Sequence, residues 1–256
     1  MVEVNKIYNE DCLEGMKRIA DGSVDMILCD LPFGITACKW DSVIDLDKLW
    51  KQYSRIIKDG RAIILFGQEP FSSRVRMSNI KNYRYDWVWQ KEKPSNFQLM
   101  HYQAGRVHEN IMVFSNYPAC YTSNNKSMIY YPQKSPREIA RKSKVKCYGG
   151  TELLHKTKSF DSVKVKTYED KLPISILRCN AVPKRVHPTQ KPVELLEYLI
   201  KTYTNENDLV LDNCMGSGAT AVACMNTQRN FIGFEMDKGY YDIACDRIER
   251  LGCAHD

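Results

Sequence analysis

The chain has 256 residues, 43% hydrophobic and 27% charged, with a formal net charge of +6. That length buries a sizeable core, which points to one α/β domain carrying an insertion. No apolar segment follows a basic N-terminal stretch and no apolar run reaches membrane-spanning length, so the expectation is a soluble, cytoplasmic protein with no membrane partner. Ten cysteines are scattered with no C-x-x-C pair and no partnered Cys/His spacing. Neither a disulfide framework nor a metal site is expected.

In chain order, Ile7 to Asp11 reads as the end of a short strand or turn. A helix over about Cys12–Ala20 follows, with Asp11 and Glu14 at capping-box spacing. Val24-Asp25-Met26-Ile27-Leu28 is a short buried strand, and Cys29-Asp30-Leu31-Pro32-Phe33-Gly34 comes directly after it. Pro32 fixes its own φ, lacks an N–H and biases Leu31 toward an extended conformation. A carboxylate, a carbonyl outside any ladder and an aromatic face are thereby presented together at a strand's carboxyl end. One chemistry that uses this set is methyl transfer to the exocyclic amine of a nucleobase. Two acceptors, the Asp30 carboxylate and the Leu31 carbonyl, hold the amine's N–H bonds and free a lone pair otherwise delocalised into the ring. Phe33 then stacks on a base turned out of the duplex. A strand ending in a Pro-containing turn with a solvated Asp is the plainer reading of the same residues.

Leu46–Ile57 has helical spacing and is stopped by Lys58-Asp59-Gly60. Ala62–Phe66 is a second buried strand, and Gly67 to Phe71 opens another helix. Tyr85–Trp89 and Asn110–Phe114 are aromatic and β-branched strands, joined by a loop over Lys91–Arg106. Tyr117–Arg185 has no clear periodicity. Between Lys126 and Arg185 stand 15 Lys and Arg against 5 Asp and Glu, interleaved with Tyr130, Tyr131, Tyr148, Phe160 and Tyr168. That mixture suits a polyanionic partner, with a solvated lysine-rich loop as the alternative.

After His187-Pro188-Thr189-Gln190-Lys191-Pro192 the apolar face of Val193, Leu195, Leu196, Leu199 and Ile200 predicts a helix. Leu209–Asp212 is a third buried strand, and Asn213-Cys214-Met215-Gly216-Ser217-Gly218 is a glycine-bearing loop before a helix. Phe231–Glu235 is a fourth strand, ending in an acid, and Tyr240–Leu251 a closing helix. Strand, glycine loop, helix, strand and acid make a nucleotide-binding βαβ unit. The loop lacks the third glycine of the dinucleotide fingerprint. Asp212 repels a pyrophosphate but attracts the ammonium of a methionine moiety, which favours S-adenosylmethionine over NAD.

Taken together, these motifs resemble those of the β-group DNA amino-methyltransferases, the permuted members of the D12/N6/N4 class. Asp30-Leu31-Pro32-Phe33 is similar to their D-P-P-Y/F motif, with Leu31 replacing the first proline. His187–Pro192 matches H-P-T-Q-K-P. Leu211–Thr220 resembles L-D-P-F-x-G-S-G-T-T, departing at Asn213, Cys214 and Ala219, and Gly233-Phe234-Glu235 resembles G-I-E. The resemblance implies a Rossmann-like methyltransferase fold, with a mostly parallel seven-stranded sheet between helices. It places the catalytic and cofactor domain at 1–116 and 186–256 and a basic target-recognition insertion at 117–185.

It also implies that Asp30, Leu31, Pro32 and Phe33 act on the target base. Asp212, Asn213, Gly216, Ser217 and Gly218 hold the methionine end of S-adenosylmethionine, with Asp30 beside it. Glu235 takes the ribose, Asp11 with Cys12 the adenine, and Thr189 with Lys191 close near the cofactor carboxylate. His187 reads as a packing residue. Double-stranded DNA is the implied substrate, with a homodimer and a cognate restriction enzyme as further implied partners. In the family an Asp at the first catalytic position goes mainly with adenine N6 and a Ser with cytosine N4, so site-specific adenine-N6 methylation is expected. Cytosine N4 and a non-catalytic DNA-binding scaffold are the alternatives.

Overall fold

The computed structural model describes residues 2–34, 43–120, 126–148, 160–182 and 190–252. Strand β1 (Lys6–Tyr8) leads into helix α1 (Cys12–Met16) and strand β2 (Val24–Cys29). Helix α2 (Leu46–Ile56), strand β3 (Ile57–Gly67) and helix α3 (Phe71–Ser78) follow, then strands β4 (Tyr83–Gln90) and β5 (His108–Phe114). Strands β6 (Ser135–Tyr148) and β7 (Phe160–Lys171) precede a short β8 (Ile176–Arg178). The chain then runs through α4 (Val193–Tyr203), β9 (Leu209–Asp212), α5 (Ala219–Asn226), β10 (Asn230–Phe234) and α6 (Lys238–Gly252).

Asp11 does cap α1: its carboxylate accepts from the Leu13 and Glu14 amides at 2.8 and 3.2 Å. The helix stops at Met16, short of the Ala20 expected. Arg55 explains the early end, because its guanidinium donates to the Met16 and Ile19 carbonyls at 2.7 and 2.8 Å. The first contact satisfies the Met16 acceptor that a helix continued to Ala20 would have used internally, and the second satisfies the Ile19 carbonyl beyond it. Similarly, Lys58-Asp59-Gly60 ends α2 but already belongs to β3, which begins five residues before Ala62. Gly60 sits at φ 72°, close to a register shift against β2 between Val24 and Met26, as at a bulge.

The chain divides into two compact units. Residues Met1–Tyr131 and Ser175–Asp256 form the larger unit, and Pro132–Ile174 the smaller. The smaller unit is the antiparallel ribbon of β6 and β7, in which Arg141 lies opposite Tyr168, Lys142 opposite Thr167 and Ser143 opposite Lys166.

The larger unit holds an eight-stranded sheet in the order β1-β10-β9-β2-β3-β5-β4-β8. This corrects the expected seven strands. Ile176–Arg178, in a stretch with no readable periodicity, adds parallel to Val88–Gln90 at the edge. The sheet is otherwise as expected: β5 alone runs against its neighbours, and the remaining pairs are parallel. Parallel strands buried on both faces read as apolar runs rather than alternating ones, which is why Val24–Leu28 and Leu209–Leu211 were legible.

Strand alternation decides which helices each residue meets. Met26 and Leu28, Ala62, Ile64 and Phe66, and Ile111 and Val113 pack with Leu195, Leu196, Leu199 and Ile200 of α4 and the alanines of α5. Ile27 and Cys29, Ile63 and Leu65, and Met112 pack on the other face with Leu49 and Tyr53 of α2 and Val75 of α3. β2 continues to β3 on one side, while its other neighbour β9 continues to β10 away from it. The switch point therefore lies between β2 and β9, where ligands bind beyond carboxyl ends in open α/β sheets.

At the opposite, amino-terminal edge, buried Asp25 pairs with Lys58 and Arg61, both at 2.8 Å, and accepts from the Leu209 amide at 3.1 Å. Arg61 also reaches Asp208 at 2.7 Å. Asp25 thus ties β2, β3 and β9 together across the switch. Asp25→Ala leaves a mostly buried guanidinium short of a partner, and we expect a loss of about 3 kcal/mol in unfolding free energy by urea titration.

Candidate active site

A cleft of about 1210 Å3, counting its open mouth, lies at the carboxyl edge beside the switch point. Its walls include Asp11 and Cys12 from the start of α1, Asp30 to Phe33 after β2, Phe66 of β3, and Gln190 and Lys191 before α4. Asp212, Asn213, Gly216, Ser217 and Glu235 complete it from the β9–α5 loop and the end of β10. Of the residues singled out in the sequence, Gly218 does not line the cleft, and Thr189 and His187 lie outside the described residues.

On one side the loop is braced by its own acids. Asp212 is buried; one oxygen accepts from the Cys214 amide at 3.0 Å and the other from the Thr220 hydroxyl at 2.6 Å. Burial pushes its carboxyl up to about 6, against the pull of those hydrogen bonds. Glu235 accepts from the Gly216 amide at 2.7 Å and the Asp237 amide at 2.8 Å, and burial raises its carboxyl too. The Ser217 hydroxyl is buried and accepts from Arg247 at 3.2 Å. The Asn213 amide donates toward the Cys12 and Cys214 sulfurs at 3.5 Å and accepts from Tyr53, a partner the sequence did not suggest. Gly218 turns the chain into α5 at φ 79°, where an added Cβ would lie 3.1 Å from the Ala244 backbone.

On the other side stands Asp30. Oδ2 accepts from Lys191 Nζ at 2.5 Å, while Oδ1 is a buried carboxylate oxygen with no hydrogen-bond partner among the described residues. Burial raises the Asp30 carboxyl, and Lys191 works in the opposite direction. Leu31 buries its side chain and leaves its carbonyl beyond the last ladder pair of β2, Cys29 with Leu65. Phe33 lies against Phe71, ring centroids 4.9 Å apart. Lys191 is buried with its ammonium over the Phe66 ring at 5.0 Å and 3.3 Å from Glu109 Oε2. The resemblance placed Lys191 near a cofactor carboxylate; here its ammonium is engaged by Asp30 and Glu109.

Glu109 was missed in the sequence, where an acid opening an apolar strand looks solvated. Its signal was the alternation that also places Ile111 and Val113. Gln68 Nε2 donates to it at 3.1 Å, and Lys91 pairs with it. Burial alone would raise the Glu109 carboxyl, but Lys191 and Lys91 outweigh burial and hold it at about 2. All four charged groups are largely buried, with Asp30 the most exposed at 19%.

A cleft across a switch point, with a glycine loop on one side and a half-satisfied carboxylate on the other, matches the order of motifs in the sequence. A family model described as DNA methylase, covering N6 and N4 methyltransferases, matches residues 24–246. The chain belongs to this DNA methylase family. Among its relatives, the Type II methyltransferase M.BglII of Bacillus subtilis is 28% identical over 94% of this chain and 68% of that protein. M1.MboII of Moraxella bovis is 26% identical over 95% of this chain and 96% of that protein. Among solved structures, the M1.HpyAVI complex with SAM superposes with a TM-score of 0.61 at 23% identity, covering 94% of this chain and 98% of that one. PvuII DNA methyltransferase, described as cytosine-N4-specific, gives 0.65 at 15% identity, covering 96% and 87%. These two likenesses support the methyltransferase fold. Among the described residues no helix is long and apolar enough to cross a membrane, and no cluster of metal-ligating side chains occurs.

The raised carboxyl of Asp212 makes the methyltransferase's stability pH-dependent. Its contribution is full below the ordinary value of 3.8 and is lost as pH rises through about 6. Asp212→Asn removes that dependence. Between pH 4 and 7 the wild type should lose on the order of 3 kcal/mol relative to the variant, read as the difference between their urea unfolding free energies.

Proposed function

We propose that this DNA methyltransferase is a site-specific adenine-N6 enzyme, with S-adenosylmethionine bound between the β9–α5 loop and α1 and the target base held at Asp30. The observation that carries the reading is Asp30 itself, a carboxylate with one oxygen clamped by Lys191 and the other buried and unpaired at the cleft. A buried acceptor without a donor costs free energy, and an exocyclic amine supplies the donor. An amine becomes cationic as it is methylated, and a carboxylate is a stronger acceptor for it than a hydroxyl.

The residues fit the cofactor. Gly216, which lines the cleft, adopts positive φ at 54° and carries no Cβ toward a ligand, while Gly218 at φ 79° turns the chain into α5 against Ala244. Glu235 closes the adjoining strand with acceptor capacity beyond the two amides it already meets. Asp11 and Cys12 stand at the mouth by the adenine position. Asp212 acts as a brace for the loop, its oxygens committed to Cys214 and Thr220. Thr189, outside the described residues, keeps its place in the reading as a closing residue near the cofactor carboxylate.

When bound, S-adenosylmethionine supplies a methyl group on a positively charged sulfur. Asp30 Oδ1 and the Leu31 carbonyl accept the two N–H bonds of the target amine and aim its lone pair. With the cofactor's methyl group transferred, the Asp30 carboxylate would face the positive charge gained by the amine nitrogen. Asp30 takes the proton that then leaves the amine. Its burial-raised carboxyl suits that role. Phe33, supported by Phe71, stacks on the base, and Pro32 keeps the Leu31 carbonyl turned outward.

Residues 117–185 are the proposed target-recognition region, with the ribbon of β6 and β7 at its centre. Arg141, Lys142 and Lys166 are exposed, and Lys166 lies over the Tyr168 ring at 5.3 Å. A two-stranded ribbon fits the major groove. Because the relatives are Type II methyltransferases, a cognate restriction enzyme belongs to the proposal, as does a homodimer.

The deciding assay gives the protein unmethylated plasmid DNA and isotopically labelled S-adenosylmethionine, and weighs the labelled nucleosides after digestion. N6-methyladenine is expected; N4-methylcytosine would overturn the choice of base while keeping the chemistry. Asp30→Ala should abolish label transfer while cofactor affinity, by calorimetry, stays unchanged. By contrast, Gly218→Ala should weaken cofactor binding, because a side chain at φ 79° is strained by about 1–3 kcal/mol and meets α6. Replacing Arg141, Lys142 and Lys166 with alanine should flatten the salt dependence of DNA binding, by about 0.9 in log–log slope for each phosphate no longer neutralised.

A further inference from the structure

Asp30 is the near end of a buried chain of alternating charge. Lys191 bridges Asp30 Oδ2 at 2.5 Å and Glu109 Oε2 at 3.3 Å, and Lys91 pairs with Glu109 from the far side. Gln68 adds a hydrogen bond to Glu109 at 3.1 Å and is itself held by Arg106. We propose that Glu109 is a positioning residue for the methyl transfer. It anchors the Lys191 ammonium so that Lys191 clamps Asp30 through Oδ2 and leaves Oδ1 to the reacting amine.

The proposal rests on the reading of Asp30 given above and assigns a role to a residue that never touches the base. A lysine ammonium is a compact charge with three donors on a flexible stem. Facing Asp30 alone, it would be free to straddle both carboxylate oxygens. The Glu109 carboxylate, 3.3 Å from the ammonium, attracts it as an ion-pair partner on the side away from Asp30 Oδ1, and the Phe66 ring lies beneath it at 5.0 Å; together they hold Lys191 on its approach to Oδ2. There is an electrostatic reason as well. The amine gains positive charge during transfer, and a buried cation one carboxylate away opposes that gain in a low-dielectric site. The Glu109 anion offsets Lys191, just as Lys91 offsets Glu109, so the chain as a whole is neutral.

The charged groups acting on Asp30 are Lys191 from the segment before α4, Glu109 from β5 and Lys91 beyond β4, with Asp212 at the end of β9 and the Cys29 thiol on the opposite face of β2 within electrostatic reach. The two outer members of the chain act on Asp30 with opposite sign. Glu109 disfavours its ionisation and Lys91 favours it.

The test is the pH dependence of single-turnover methylation on unmethylated plasmid DNA, with Asp30→Ala run alongside. Glu109→Gln keeps the shape and removes the charge. Its rate should fall about 10- to 100-fold through misplacement of Asp30, with cofactor affinity unchanged and the acid limb moved to lower pH. Lys91→Met should move the limb to higher pH, and Glu109→Asp should recover part of the rate. If Glu109→Gln does not fold, the Lys91→Met shift still decides. A full rate in Glu109→Gln, or slower variants whose acid limbs stay in place while Asp30→Ala is dead, overturns the positioning role. An active Asp30→Ala instead overturns the reading of Asp30.

Discussion

The site depends on one constraint, the period of two along a β-strand. Once Met26 and Leu28 face α4, residue 30 must face the same way, and the same rule holds for every neighbouring strand. Phe66 puts Gln68 on that face, Ile111 puts Glu109 there, Trp89 puts Lys91 there, Val210 puts Asp212 there, and Phe231 puts Glu235 there. Because β5 runs antiparallel to both β3 and β4, its first residues meet the last residues of those strands at the same edge. Polar groups from six strands therefore stand in one row at the sheet's carboxyl edge. A one-residue slip in any strand would turn its member of the row to the α2 face.

A row of buried charge is costly unless each member is paired. The two halves meet that cost differently. On the β9–β10 side the acids are satisfied by backbone amides and a hydroxyl, so they serve as fixed braces and give the glycine loop its shape. On the β2–β3–β5–β4 side the acids are paired with lysines, and hydrogen bonding is incomplete along this row at Asp30 Oδ1 and Glu109 Oε2. In the proposed function, that difference separates a surface that would hold the cofactor in one pose from one that would offer an acceptor to the target amine. The glycines follow from the same logic: Gly233 packs so closely against Met215 that an added Cβ would lie 2.4 Å from its terminal methyl.

Much of this was legible in the sequence because local and tertiary demands agree. Val24–Leu28 and Leu209–Asp212 are buried on both faces and read as apolar runs. Asp30-Leu-Pro-Phe and Gly-Ser-Gly carry their own turn chemistry, so their positions at strand ends followed. What escaped was set by partners far along the chain. Arg55 ends α1 from a helix nearly forty residues away. Ile176–Arg178 is a strand because β4 offers an edge, and nothing in those three residues distinguishes them from the loop around them. Lys191 belonged to a recognisable hexapeptide, yet its partner could not be read from that motif, since Asp30 and Glu109 reach it only through the sheet. Glu109 and Lys91 each border an apolar strand, where a charge ordinarily marks the way out to water. Counting in twos from Val113 and Trp87 would have placed both on the α4 face.

The same geometry explains how the cofactor motif can come last in the chain. The two halves of the cleft meet where β2 pairs with β9, through Met26 with Val210 and Ile27 with Leu211. β2 and β9 are adjacent because their apolar faces share one core, whichever is made first. Asp25 adds a polar tie at the amino end of the same pair. Lys191, two residues before α4, reaches Asp30 just where α4 begins to cover Met26 and Leu28. Pro192, which caps that helix at φ −62° and ψ 132°, sets the turn directly after the lysine. A proline there contributes no unsatisfied N–H and fixes the approach. Lys191 and Pro192 are in this sense a joint between the core of one face and the carboxyl edge of the sheet.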